Sequence, residues 1–241
     1  MTSEMEAARP RTAPVRSYST RFETDETPIS EGGMWLNGRA DGIDWCDVLT
    51  RNGGAYGEVS RMAVAERRSE QASLGAGTGE GGGTEGDYDD PTAVLSGSWG
   101  HNQLARATVF SRNPTDRYFQ EVEIRLRSSI SPHLCTGYEV FFRCLRTDAG
   151  YAEIVRWNGP IGDFTSLRKL IGPQYGVQDG DVIEASIVGD SIKGYINGVE
   201  MISATDDRFA TGSPGIGFNF FVGDTNVDHG LSSFEVDTYD D

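Results

Sequence analysis

The sequence predicts an all-β protein, an antiparallel β-sandwich, on three observations. Short segments of alternating apolar and polar residues recur between turn residues, glycine reaches 31 of 241 residues while runs of helix formers are nearly missing, and Asn197-Gly198 separates two alternating segments as a hairpin signal. A chain of this length can bury a sizeable core undivided, so one domain is expected over residues 18–241, preceded by an arm at 1–17. The arm interleaves Pro10 and Pro14 with Arg9, Arg11 and Arg16 and offers too little apolar surface to offset its ordering entropy, which predicts a flexible or partner-bound segment.

Taken in order, YSTRFET at 18–24 is an expected edge strand, and DETPISEGGMWLNG after it is a turn-rich loop. IDWCDVLT and GEVSRMAVA alternate well enough for strands, and the glycine-rich stretch at 75–86 is a loop insertion. YDDPTAVLSGSW at 88–99 is where that insertion rejoins the sheet: Pro91 ends the loop, the aspartates cap the turn or hold an ion, and TAVL resumes a strand. LARATVF follows. In YFQEVEIRLR, Val122, Ile124 and Leu126 fall on one face and Glu121, Glu123, Arg125 and Arg127 on the other, so one side of that strand is expected to be dry. GYEVFFRCLR and YAEIVRWN are antiparallel neighbours through the short turn TDAG. DVIEASIVG, SIKGYI, VEMIS, PGIGFNFFV and SSFEVDT complete a sandwich of the jelly-roll type.

The formal net charge of -16 opposes binding to nucleic acid, and no apolar run is long enough to insert in a bilayer. Cys46, Cys135 and Cys144 are too few for a disulfide framework, leaving one Cys135–Cys144 bridge open. The N-terminus lacks an apolar signal region, so synthesis in the cytoplasm is expected, with virion or cell-surface assembly as a later destination.

SIKGYINGVEMISATDDRFATGSPGIGF, together with VEIRLRSS, GYEVFFRC and SSFEVDT, resembles the laminin-G-like and concanavalin A-like lectin/glucanase superfamily of jelly rolls. The resemblance covers about Tyr18 to Thr238 and implies one of several functions: lectin, carbohydrate-binding module, adhesion domain, glycoside hydrolase or polysaccharide lyase. The superfamily's β-glucanases carry Glu-x-Asp-x-x-Glu on one strand; here Glu121 and Glu123 are followed by Arg125 and Arg127 instead of the remaining acid, which disfavours a retaining glycosidase.

The expected function is therefore a non-catalytic lectin-like carbohydrate-binding or adhesion module, with a structural part in a multi-chain assembly such as a virion as the alternative, and a hydrolase or lyase behind both. Trp157 is the candidate platform for a pyranose, with Arg125, Arg127, Glu139, Arg143, Arg156 and Asn158 as hydrogen-bonding neighbours. Trp99 and His101, on the turn SGSWGHNQ, are candidates for a pocket rim. Trp157 as core and Trp99 as a cap on the sandwich are the competing readings. Asp224, Asn226 and Asp228 alternate as oxygen ligands for a structural Ca2+, the one cofactor expected, with Asp25 and Asp89 as the alternative ligands. The expected partners are a glycan or polysaccharide and, through the arm, a protein.

Overall fold

The described residues form fifteen strands in two antiparallel sheets. The structure is a computed structural model that describes residues 13–37, 46–57, 90–116, 120–131, 134–160, 162–220 and 227–240. The expected glycine-rich insertion, most of the strand expected at 57–65 and most of the arm lie outside the described residues.

Sheet I contains β3 (Val48–Arg51), β4 (Gly54–Gly57), β15 (His229–Tyr239), β6 (Asn102–Ser111), β11 (Val182–Val188), β12 (Ser191–Ile196) and β13 (Val199–Thr205), in that spatial order, with β1 (Arg16–Thr20) also paired to β15. Sheet II runs β10 (Phe164–Ile171), β9 (Tyr151–Gly159), β8 (Leu134–Arg143), β7 (Gln120–Ser131), β14 (Ser213–Phe220), β5 (Thr92–Leu95) and β2 (Trp35–Asn37). A 3-10 turn at Pro173–Tyr175 is the one helical element among the described residues, and no described helix is long and apolar enough to cross a membrane.

The core lies between the sheets. Val122, Ile124 and Leu126 of β7, with Val140 and Phe142 of β8, face Ala105, Ala107, Ile183, Ala185, Phe234 and Val236 of sheet I. Removing this apolar surface from water is the main force joining the two layers. The period-2 pattern of β7 therefore sets which side of sheet II turns inward and leaves Glu121, Glu123 and Arg125 on the outer side.

The hairpins follow their turn chemistry. Asn197 and Gly198 both adopt positive φ, 51° and 78°, which joins β12 to β13 as expected. Asn52 and Gly53, at 52° and 76°, do the same between β3 and β4. That second Asn-Gly lies in the gap before the strand expected to begin at Gly57, where β4 instead ends.

Several expectations are corrected. The first strand starts at Arg16, two residues inside the expected arm. MWLN contains the short strand β2, concealed among turn residues. FTSLRKLI forms β10, which was not expected because an irregular register between Ser166 and Arg168 interrupts the alternation that marks a strand. The Cys135–Cys144 bridge does not form: Cys144 joins the core while Cys135 lies on the outer side of sheet II with Val155 and Trp157.

Candidate functional site

The outer side of sheet II collects charge. Alternation on β7 presents Glu121, Glu123 and Arg125; the register of β8 sets Arg143, Phe141 and Glu139 beside them in that order. β9 adds Tyr151, Glu153, Val155 and Trp157 along the next row, and β10 closes the edge with Phe164, Ser166 and Lys169. On the other flank of β7, Asn219, Gly217 and Gly215 of β14 pair with Glu121, Glu123 and Arg125.

Arg125 is the centre of this face and is fully buried. Its Nη2 lies 2.9 Å from Oε1 of Glu139, 3.3 Å from Oδ1 of Asp90 and 3.8 Å from Oε2 of Glu123. Its Nη1 is 3.7 Å from the Cys135 sulfur. The indole of Trp157 donates to Oε2 of Glu139 at 2.7 Å, and the Arg125 guanidinium is 5.7 Å from its ring centre. Asp90 reaches the group from just before β5, close to the position that Asp89-Asp90-Pro91 suggested for the return of the insertion.

Burial governs the electrostatics. It raises the Glu123 carboxyl well above the usual range, and the neighbouring Glu139 and Asp90 raise it further, with Arg125 opposing. Burial also lifts Glu121 to about 7, against a hydrogen bond from Tyr151 and the charge of Lys169. Cys135 is pushed up to about 11 by burial despite Arg125, so it is held as an inert thiol. Burial works against the charge of Arg125, but Glu139 and the other anionic neighbours outweigh it and hold the guanidinium protonated.

A second set sits toward β10. The Tyr151 hydroxyl donates to Glu121, the Lys169 ammonium is 2.7 Å from Glu153 and 4.3 Å from the Tyr151 ring centre, and Ser166 donates to Glu153 at 2.6 Å. At the end of the same edge Phe164 is 47% exposed while its neighbour Trp157, with ring centres 5.3 Å apart, is 3% exposed. The aromatic pair thus presents Phe164 to solvent and keeps Trp157 behind it.

Trp157 and the neighbours expected around it divide into three groups. Trp157, Arg125, Glu139 and Arg143 share the outer side of sheet II; Arg143 donates to the Ala149 carbonyl at 2.9 Å. Arg156 and Asn158 point to the opposite side of β9, where Arg156 meets Asp206 and donates to Asn158 and Thr165, and Asn158 donates to Asp163. Arg127 leaves the row that strict alternation predicted: its φ is +47° and the β7–β8 register shifts between Leu126 and Ser129. It donates instead to the carbonyls of His101, at 2.7 Å, and Phe209, at 3.0 Å.

His101 is exposed, and Trp99 is a core residue whose indole donates to the Ser96 carbonyl while Arg16 stacks 3.8 Å above its ring. Asp224 and Asn226 lie outside the described residues; Asp228 is half-buried, and its carbonyl accepts from the Arg112 amide at 2.8 Å. Tyr151, Glu153, Phe164 and Lys169 were not singled out as site residues, whereas Asp90 was one of the two adjacent aspartates expected to cap a turn or hold an ion. Alternation in YAEIVRW carried the signal for Tyr151 and Glu153, whereas β10 carried none because its register is irregular.

The three acids around Arg125 form a closed group. Oxygens of Asp90, Glu123 and Glu139 lie within 4.8 Å of one another with all three side chains buried, so these acids do not flank an open cleft. A glycosidase instead holds two carboxyl groups about 5 to 9.5 Å apart on either side of an accessible sugar bond.

No protein-family model and no curated protein matches the chain. Among solved structures it is similar to the carbohydrate-binding module CBM66 from Bacillus subtilis, with a TM-score of 0.51 at 13% identity over 87% of this chain and 96% of that one. An endo-acting O-glycanase of the human gut microbiota aligns with a TM-score of 0.54 at 9% identity over 92% and 99%. A LamA variant from Z. galactanivorans in complex with laminaritriose and laminaritetraose aligns with a TM-score of 0.50 at 6% identity over 94% and 100%. Such identities establish architecture and leave the chemistry to the residues described above. The chain shares the antiparallel jelly-roll sandwich fold of these solved structures.

Proposed function

We propose that the protein is a non-catalytic carbohydrate-binding module whose sugar contacts lie on the β9–β10 edge of sheet II. The observation that carries this reading is the half-exposed Phe164 ring braced by the buried Trp157, with the hydroxyl of Ser166 and the Lys169–Glu153 pair further along the same edge. An aromatic ring at a sheet edge offers a flat apolar surface to the C–H face of a pyranose, and nearby hydroxyl, ammonium and carboxylate groups take the sugar hydroxyls. The closed carboxylate group behind the edge favours binding over hydrolysis. Similarity in fold to a carbohydrate-binding module agrees with this reading and is equally compatible with the fold of glycanases.

The test is a glycan array and titration calorimetry on the full chain and on Phe164→Ala. The expected result is selective binding that weakens at least about tenfold in the variant, the scale of one well-placed aromatic contact, with the melting temperature unchanged because Phe164 is half exposed. Binding indifferent to Phe164→Ala would remove the β10 edge as the sugar site. Release of reducing ends from a bound glycan would overturn the non-catalytic assignment.

A further inference from the structure

Among the described residues, three carboxylates meet one cation at Arg125. Asp90, Glu123 and Glu139 converge on a single guanidinium nitrogen, at 3.3, 3.8 and 2.9 Å. That nitrogen carries two hydrogens, so it cannot donate to three carboxylates at once. Oε2 of Glu123 and Oε1 of Glu139 have no hydrogen-bond partner among the described residues although both side chains are 2% exposed. Buried carboxylates demand pairing because their desolvation costs several kcal/mol each in real proteins.

We propose that Asp90, Glu123 and Glu139 form a binding site for one hard divalent cation, with Ca2+ the best match. Three carboxylates and one guanidinium leave a formal charge of −2, which a single divalent ion neutralises. One proton would leave −1 in a closed site. The carboxylate oxygens all lie within 4.8 Å of one another, which suits common ligation at about 2.3 to 2.6 Å from a central ion. The donor set is oxygen only, the preference of Ca2+, Mg2+ and Mn2+ over softer metals. Ca2+ is favoured among these because it accepts irregular carboxylate cages, whereas Mg2+ holds several waters in octahedral geometry.

The protein is shaped around this position. Glu123 lies flat against β14, where a Cβ on Gly217 would stand 2.2 Å from Oε2. Glu139 is oriented by the Trp157 indole through its other oxygen, which fixes the carboxylate as a hydrogen-bonded outer partner fixes a metal ligand. Residues from the consecutive strands β7 and β8 and from the approach to β5 would meet at the ion, tying that pair to a segment outside it. These residues are distinct from the Asp224, Asn226 and Asp228 set expected from the sequence, and the inference does not depend on sugar binding.

The experiment uses the purified full chain, stripped with chelator and then titrated separately with Ca2+, Mn2+ and Mg2+ by calorimetry, with melting temperature recorded alongside. One ion per chain is expected, and at a hundredfold excess over Kd it should raise the melting temperature by about 5 to 10 °C. Glu123→Gln and Asp90→Asn, which keep side-chain shape, should abolish that rise, and Asp228→Asn should leave it intact. If one of the site variants does not fold, the other decides. No binding of any of the three ions overturns the site, as does binding that survives both variants or is lost only in Asp228→Asn.

Discussion

A methyl group on Gly217 would stand 2.2 Å from Oε2 of Glu123 and 3.2 Å from Nε of Arg125, so β14 must present bare backbone where β7 leans its charged side chains across. Gly217→Ala is expected to displace the Glu123 carboxylate and destabilise the fold by about 1 to 3 kcal/mol, the usual range for overpacking. Combining it with Glu123→Ala, which vacates the contested space, should cost less than the sum of the two changes. Urea denaturation of the two single variants and the double variant measures that coupling; strict additivity would show that the two residues do not compete for space.

Arg125 is the sole cation within 4 Å of Asp90, Glu123 and Glu139 among the described residues. Arg125→Met keeps much of the side-chain volume and removes this cation from the three acids. A loss of about 3 to 5 kcal/mol is expected near neutral pH, the scale for orphaning buried charge, with a smaller loss at acid pH as the carboxylates become neutral. Chemical denaturation at several pH values checks both the size and the trend.

Two buried groups tilt the pH dependence in opposite directions. His229 has its folded pKa lowered to about 4 by burial, so its contribution to stability is complete above its unfolded value of 6.5 and is lost as pH falls toward 4. Glu121 has its folded pKa raised to about 7, also by burial, so its contribution is complete below its unfolded value of 4.5 and is lost as pH rises through 7. Each effect is on the order of 3 kcal/mol in full. His229→Gln should therefore shift the stability optimum to lower pH and Glu121→Gln should shift it to higher pH. Melting temperatures across pH 4 to 8 test this; optima that do not move would show that neither group titrates as placed.

Arg127 reaches the carbonyls of His101 and Phe209 from a strand irregularity, while its amide donates to Gln103. Arg127→Ala should cost about 1 to 3 kcal/mol through carbonyls left without their donor. Faster amide exchange should be confined to the segment around Phe209. Exchange that rises uniformly over both sheets would instead identify Arg127 as a general contributor to stability.

Particular residues show how far the sequence could be read. Alternation at Val122, Ile124 and Leu126 correctly identified one face of β7 as core, because period-2 burial is a local property. The same alternation misplaced Arg127, since a single irregularity exchanges the faces that follow it. Trp157 and Glu139 were named individually from residue type. Their hydrogen bond, and their meeting with Asp90 across the sheet, depends on strand order rather than on spacing.

The sequence by itself determined the strand-rich architecture, the Asn197-Gly198 hairpin and the strong net negative charge, because backbone preference, turn chemistry and composition act over a few residues or over the whole chain. Only the tertiary structure decided that the charged side of β7 is closed, that Asp90 joins Glu123 and Glu139 at Arg125, and that Phe164 faces solvent with Trp157 behind it. The reason is physical: the cost of burying a charge, and the partner that offsets it, are set by neighbours brought together through the sheets and remote in the chain.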